Sequence, residues 1–429
     1  MIRPQNFEEK LVWYTVIGTY GLYLLGAQLI WVPALAWFLG LYLCKKLWDQ
    51  TEDTPNEKRI TIPAVTWVWV VSMLVMEFAL IMAHLDWDLG VDRLIRSTLV
   101  WGRSWALMAL LPLAGCLNIR PQLIYRAACI LCIQSFVIIL ICYTLYLLHI
   151  PSFSYVSPLR LLVGGSPYDF SVGLFGVDPD NNHQFRLNLF TPFYNTLGIT
   201  GALYFCLVCQ ESDKKLRWIS MFTAATMVFG SASRLTMFCI VVVPVLNWIL
   251  TNFTWPLQIA TGIVSFFGGL FASPIIDFAE NSWDLSIKRY RVGSERIRSK
   301  LKQIALERWP EAPIWGHGAG QEHGPKSTEG IPIGTHNQWP DLLYLKGIVG
   351  FTAFLVPLLW SFTVLLVKAQ KSSTAKAGLS IILVILICTS GADLEVSVYH
   401  WPCLVLLGIA FKEKTELLAG KLEKNEAPV

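Results

Sequence analysis

The sequence predicts an all-α fold: a polytopic membrane bundle of about twelve transmembrane helices, with one large extracytoplasmic loop that contains short helices. Three observations lead there. The chain has 429 residues, of which 54% are hydrophobic and only 15% charged, against about one quarter charged in soluble domains. Its mean hydropathy is +0.50. Apolar runs recur from Leu11 almost to the C-terminus, each close to the ~20 residues that cross a hydrocarbon core, whereas a β-barrel would show short alternating segments. The bundle is its own core, so residues 1–429 read as a single integral membrane domain.

In chain order, the expected spans lie near residues 11–26, 29–44, 60–82, 98–117, 123–148, 191–210, 218–232, 235–250, 256–274, 342–367, 378–391 and 399–411. The first apolar stretch, Leu11 to Cys44, is too long for the core of a signal peptide and lacks a small-residue cleavage pattern. Lys45, Lys46, Lys58, Arg59, Arg120, Arg126, Lys214, Lys215, Arg217, Lys368, Lys371, Lys376 and the tail from Lys412 all fall on one side of this arrangement. The positive-inside rule makes that side cytoplasmic and puts both termini there. The segments 83–97, 149–190, 233–234, 275–341 and 392–398 are then outside. All seven histidines (His84, His149, His183, His317, His323, His336 and His400) map to that outer side or its edge.

Composition narrows the function. The net charge is +4, and no basic-aromatic patch points to nucleic acid. Ten cysteines lie in or at the ends of apolar segments and none in the long polar loops, so no disulfide framework is implied. Cys129-x-x-Cys132 and Cys206-x-x-Cys209 have redox or zinc spacing, but inside spans such residues ordinarily pack.

The 275–341 segment breaks the apolar pattern. It carries Arg291, Arg296 and Arg298, then Gly316, Gly318 and Gly320, then His336-Asn337. A loop this long needs structure of its own. Ser294 is placed to cap a helix whose apolar stripe is Ile297, Leu301, Ile304, Ala305 and Trp309, with Arg298 and Lys302 on a neighbouring face. Such a helix fits the outer membrane surface, and the Trp-Pro and Ala-Pro steps at 309–313 end it.

Each polar group has a bland reading beside a chemical one. Arginine grips phosphate oxygens bidentately, yet a basic helix also touches anionic lipid headgroups. Arg234 follows Gly230-Ser231-Ala232-Ser233 between apolar runs, and a charge at mid-bilayer costs roughly 2.5–3.5 kcal/mol. It reads as a cation at the outer mouth of the bundle or as a snorkelling residue at a hairpin. The Gly316-x-Gly318-x-Gly320 run lacks the spacing of a dinucleotide fingerprint. It offers backbone N–H groups to an anion or is simply a turn. His336 is a candidate base or a helix-capping residue. His317 and His323 match no zinc spacing. Glu77, Asp393 and Glu395 are candidate counter-ions or relays in or near spans.

The order of these pieces resembles the O-antigen ligase and polymerase superfamily. The matching elements are Ser233-Arg234 at the head of a span, then Arg298 or Arg296 ahead of Gln303-Ile304-Ala305-Leu306-Glu307. Pro313-Ile314-Trp315-Gly316-His317-Gly318, His336-Asn337 and Gly347-Ile348-Val349-Gly350 follow. The resemblance covers about the second half of the chain. It implies a glycosyltransferase of the bacterial cytoplasmic membrane, with 275–341 as its catalytic loop. The donor is a glycan on a polyprenyl (undecaprenyl) diphosphate, and the acceptor is lipid A–core or another glycan. By the resemblance, His336, Arg298, Arg296 and Arg234 are catalytic, and Arg291, Gly316, Gly318 and Asn337 bind substrate. Transfer is inverting and needs no metal or other cofactor, and membrane lipid and a monomeric state are expected. Ligase and polymerase differ in acceptor, which the sequence leaves open, as it does the choice between Arg296 and Arg298. A transporter is the reading from another class, although no paired broken helices at corresponding positions of two halves favour it.

Overall fold

The computed structural model describes residues 2–51, 59–163, 167–178, 184–252, 292–319, 324–391, 394 and 397–413. Helices dominate: α1 (Phe7–Ile17), α2 (Thr19–Leu24), α3 (Gln28–Trp48), α4 (Ala64–Asp86), α5 (Val91–Arg103), α6 (Leu107–Gly115), α7 (Pro121–Leu147) and α8 (Arg160–Val163) come first. They are followed by α9 (Tyr194–Val208), α10 (Lys214–Gly230), α11 (Arg234–Thr251), α12 (Val292–Arg308), α13 (Gln338–Ala369), α14 (Ser373–Cys388) and α15 (Trp401–Lys412). Among the described residues, α3, α4, α7, α11 and α13 are long and apolar enough to cross a membrane. The expected span at 256–274, together with Arg291, Gly320, His183, His323, Asp393 and Glu395, lies outside the described residues.

Polar contacts gather one set of helix ends. Arg120 donates to both carboxylate oxygens of Glu9 at 2.7 Å, and Lys46 reaches Glu8 at 2.7 Å. Arg126 makes a bidentate pair with Glu211 at 2.9 and 2.8 Å. Lys412 donates to the carbonyls of Cys116 and Leu117 at 3.2 and 3.0 Å, and Gln370 to Leu250 O at 2.9 Å. The described residues therefore begin and end at the same end of the bundle, where the expected basic residues collect. Arg234, the end of α4 and the start of α13 point to the other end.

Packing follows membrane logic. With no hydrophobic drive between helices in lipid, close approach of small residues does the work. At the crossing of α6 and α15, a Cβ on Gly115 would meet Gly408 Cα at 2.8 Å and Ile409 N at 2.9 Å. Between α4 and α13, the most extensive pairing in the bundle, Trp69 Nε1 donates to Ser361 Oγ at 2.8 Å inside the core.

Three expectations are corrected. The segment 98–117 is not one span: α5 breaks at Ser104 (φ −123°, ψ −78°) before α6 begins. Asp92, Arg93, Arg96, Ser97 and Thr98 make α5 too polar to enter hydrocarbon along its whole circumference. The fold is not purely helical, because the described residues of 149–190 include two antiparallel strand pairs, Ser154–Val156 with Ser171–Gly173 and Phe175–Asp178 with Gln184–Leu187. Buried Tyr23 anchors the first pair, its hydroxyl accepting from Gly173 N–H at 3.0 Å. Finally, α12 begins at Val292, so Ser294 lies within the helix rather than capping it. Its stripe also faces protein: Leu301 and Ala305 are fully buried, and Ala305 packs with Ile333 and Tyr344. As the proline steps predict, α12 gives way at Trp309–Glu311 to a single 3-10 turn.

Candidate active site

The site is organised by a break in α13. At Gly347 the backbone leaves the helix (φ 61°, ψ −166°), a region open essentially to glycine alone. A continuous helix would bond Ile348 N–H to Tyr344 O and Val349 N–H to Leu345 O. Residues 313–318 take over both ends of these lost bonds. Ile348 N–H donates to Pro313 O at 2.9 Å and Val349 N–H to Ile314 O at 3.3 Å. His317 and Gly318 N–H donate to Tyr344 O and Leu345 O, each at 2.9 Å. Non-helical backbone at membrane depth is tolerated only where protein or an aqueous cavity satisfies it, and here the loop does so.

This splice explains the Gly316-x-Gly318 motif and corrects its expected role. A Cβ on Gly316 (φ 76°) would fall 2.5 Å from Gly347 N and Lys346 N, so only glycine fits. The amides of Gly316 and Gly318 are bonded to Ala312 O and Leu345 O. They are not free to cradle an anion, and the turn locks a loop into a helix. His317 fastens it: the buried ring stacks between Trp87 and Tyr344, with centroids 4.9 and 4.3 Å away. Its nitrogens face Tyr344 O at 3.0 Å and Glu311 Oε2 at 3.1 Å. Hydrogen bonds from Arg308 and then His317 hold the Glu311 carboxyl below its ordinary pKa.

On the N-terminal side of the break, the structure brings Arg298, His336 and Asn337 together. Asn337 caps α13, its N–H donating to Asp341 Oδ2 at 2.6 Å. Its side-chain amide donates to Arg298 O at 3.1 Å, which ties α12 to the start of α13. The backbone N–H of Asn337 and one N–H of its side-chain amide thus position protein. His336 sits next to this tie in the left-handed region (φ 81°), a conformation that costs a non-glycine residue energy and concentrates at functional sites. Its Nδ1 lies 2.9 Å from Thr335 Oγ1. Crowding by the protein and then the Arg298 charge lower the imidazole pKa. The ring keeps an exposed surface, so repulsion from Arg298 is the firmer of the two causes. Arg298, half-buried where Arg296 is exposed, is the arginine whose charge acts on the histidine.

Arg234 heads α11 after Ala232, which takes a left-handed turn (φ 54°). It lies at the same end of the bundle as His336 and Arg298.

Beside His336 opens a cavity of about 800 Å³, within the range of ligand sites. Thr335, Gly318 and Ala319 form part of its wall, and Arg93, Arg96 and Lys346 bring three cations to it against one acid, Asp92. Sequence reasoning missed all three. The two arginines lie in what reads as a loop, and Lys346 is a charge inside an apolar run, the same signal that drew attention to Arg234. Contacts to α4 set the orientation of α5. His84 Nδ1 lies 2.8 Å from Leu80 O and must donate to it, so neutral His84 accepts the Ser97 hydroxyl at Nε2, 3.0 Å away. Thr98 donates to Glu77 at 2.7 Å. Glu77, expected as a counter-ion or relay, therefore anchors α5 and also interacts electrostatically with Lys346.

A comparison of the chain with curated proteins finds no match. Residues 219–355, which include α11, the 313–318 splice, Arg298 and His336, match the family model described as O-antigen ligase, and this match supports the resemblance read from the sequence.

Proposed function

We propose that the protein is a glycan ligase of the bacterial inner membrane, with both termini in the cytoplasm. It moves a glycan from a polyprenyl diphosphate to a lipid A–core or other glycan acceptor at the outer face. The observation that carries this reading is the Arg298–His336–Asn337 group at the edge of the basic cavity. An acceptor hydroxyl attacks the anomeric carbon of the donor sugar from the face opposite the diphosphate. The new C–O bond forms as the bond to the diphosphate oxygen breaks, and configuration inverts. His336 accepts the hydroxyl proton, which its depressed pKa favours by keeping the imidazole neutral near pH 7. The leaving diphosphate departs with the electron pair, and Arg298 stabilises the developing charge, with Arg234 as a further cation at the same end of the bundle.

The test replaces His336 and Arg298 by Ala in membranes that hold normal amounts of protein. Glycan transfer at the wild-type rate in both variants overturns the assignment. Gel profiles of surface glycan in a deletion strain separate the acceptors. Long chains retained on the carrier identify the ligase, and single-unit products identify a polymerase. Unchanged glycan with altered solute uptake identifies a transporter.

A further inference from the structure

The helix α5 has two faces with different partners. It runs Val91–Arg103, about 20 Å at 1.5 Å per residue, and no residue in it is buried. Val91, Ile95 and Leu99, spaced i, i+4, i+8, are 71%, 54% and 65% exposed. Such a stripe on a helix too short and too polar to span the bilayer is the signature of a helix lying in the membrane interface. The helix sits at the end of the bundle that holds His336. Its N-terminal residues follow directly on the end of α4, and at its other end Trp101 Nε1 donates to Met73 O at 3.2 Å, which fastens that end to α4. Beside the stripe the helix is held on α4 by the Ser97–His84 and Thr98–Glu77 hydrogen bonds. Arg93 and Arg96 line the cavity, as does Lys346 of the α13 break. Lys346 is only 5% exposed, lines the cavity and interacts electrostatically with the Glu77 carboxylate of α4.

We infer that α5 is the portal for a lipid-anchored, phosphate-bearing substrate: Ile95 and Leu99 lie in the outer leaflet beside its lipid tail, while Arg93, Arg96 and Lys346 receive its phosphate head in the cavity, with Val91 at the mouth between them. This deepens the proposed reaction and rests on it only for the destination of the substrate. Head and tail are bound by the two faces of one helix, so the substrate enters sideways from the bilayer. The chemistry recognised is a phosphate group on a lipid, which either the donor or a phosphorylated acceptor lipid supplies.

The experiment measures binding without transfer, using full-length protein in nanodiscs. The probes are undecaprenyl diphosphate, a phosphorylated lipid A–core glycolipid and inorganic pyrophosphate. The double variant Arg93→Gln/Arg96→Gln is expected to weaken at least one lipid probe by roughly tenfold or more, the scale of lost charge-assisted hydrogen bonds. Loss for undecaprenyl diphosphate makes the head the donor's, and loss for the glycolipid makes it the acceptor's. Arg93→Lys/Arg96→Lys is expected to restore much of the binding, which a merely unfolded protein could not do. Ile95→Ser/Leu99→Ser is expected to weaken the lipid probes while leaving inorganic pyrophosphate unaffected. Unchanged binding of both lipids by the arginine variant overturns the proposal, as does equal weakening of pyrophosphate by the Ile95/Leu99 variant. Because no transfer is read, a failure here is separate from a failure of the His336 and Arg298 variants to lose activity.

Discussion

Replacing Gly347 by Ala tests the central architectural claim, that a docked loop and a broken helix hold each other. Alanine at φ 61°, ψ −166° occupies a region that costs a non-glycine residue about 1–3 kcal/mol. Its Cβ would collide with Ile314 O and lie 2.7 Å from Trp315 N, and backbone cannot swing away as a side chain can. Forcing the loop aside sacrifices the bonds from His317 and Gly318 to the Tyr344 and Leu345 carbonyls, each contributing about 1 kcal/mol. The helix has an escape, since an αR alanine restores the bonds from Ile348 to Tyr344 and from Val349 to Leu345 and expels the loop. The open state should therefore gain about 3 kcal/mol on the docked one, roughly two orders of magnitude in population. Hydrogen exchange of peptides covering 312–318, read by mass spectrometry in detergent, should accelerate by that factor, and glycan transfer should fall with it. Gly330→Ala is the control, because Gly330 also has positive φ (79°) but nothing within 4 Å of the added carbon. Wild-type exchange across 312–318 in Gly347→Ala would falsify the splice, as would an equal effect from the control.

The two loop arginines should separate cleanly: Arg298→Ala should lower the transfer rate by about 10²–10³-fold, the scale of a lost charge stabiliser, and exposed Arg296→Ala should change it little. Equal losses in both would remove Arg298 from its special place. The rate should fall as pH drops through the His336 pKa, which lies below its ordinary value. Removing the neighbouring positive charge raises that pKa, so the residual activity of Arg298→Gln should show its acid limb at higher pH, and a limb that stays put or moves down contradicts the pairing. At the far end of the bundle, Glu211→Ala deprives Arg126 of both carboxylate bonds, with the glutamate side chain 1% and the arginine 18% exposed. Breaking such a pair costs about 3–5 kcal/mol. Denaturation in detergent should register that loss, and a change under about 1 kcal/mol would show the pair to be replaceable.

The sequence made the chemistry more legible than the geometry. His336 and the arginines announce themselves as polar groups in an apolar chain, and their order carries the family resemblance. The adjacency of Arg298 and His336 is made by tertiary contacts, the side-chain amide of Asn337 on a carbonyl thirty-nine positions earlier and the packing of Ala305 on Tyr344, which no periodicity encodes. The glycine motif reads as a possible anion cradle because spacing shows that amides are unshielded by side chains. It cannot show that those amides are consumed by carbonyls freed in another segment. Residues 83–97 read as a loop and 98–117 as a span because hydropathy windows average over the Ser104 break. That averaging divides one amphipathic helix between two categories and hides Arg93 and Arg96. Lys346 was visible in principle, since a lone lysine in an apolar run carries the same cost as Arg234.

The first turns of α13 before the break therefore hold more of the site than any loop does. Asn337 ties them to α12, and Tyr344 packs against Ala305 and stacks on His317. Lys346 turns to the cavity at the point where the helix ends. A straight helix would keep Tyr344 and Leu345 carbonyls for itself and leave residues 313–318 with no partner for their amides. The cavity would then lose the Gly318 wall that abuts His84 and Ala83 at the end of α4. The break costs two helical hydrogen bonds and returns four to the loop, so it is locally close to balanced. What the exchange gains is position: it fixes a polar loop, a buried lysine and the histidine-bearing turn on one rigid support at the membrane face. A site that must grip a charged head while its lipid tail stays in the bilayer needs such a support, because loops alone lose the sub-ångström placement that transfer chemistry requires.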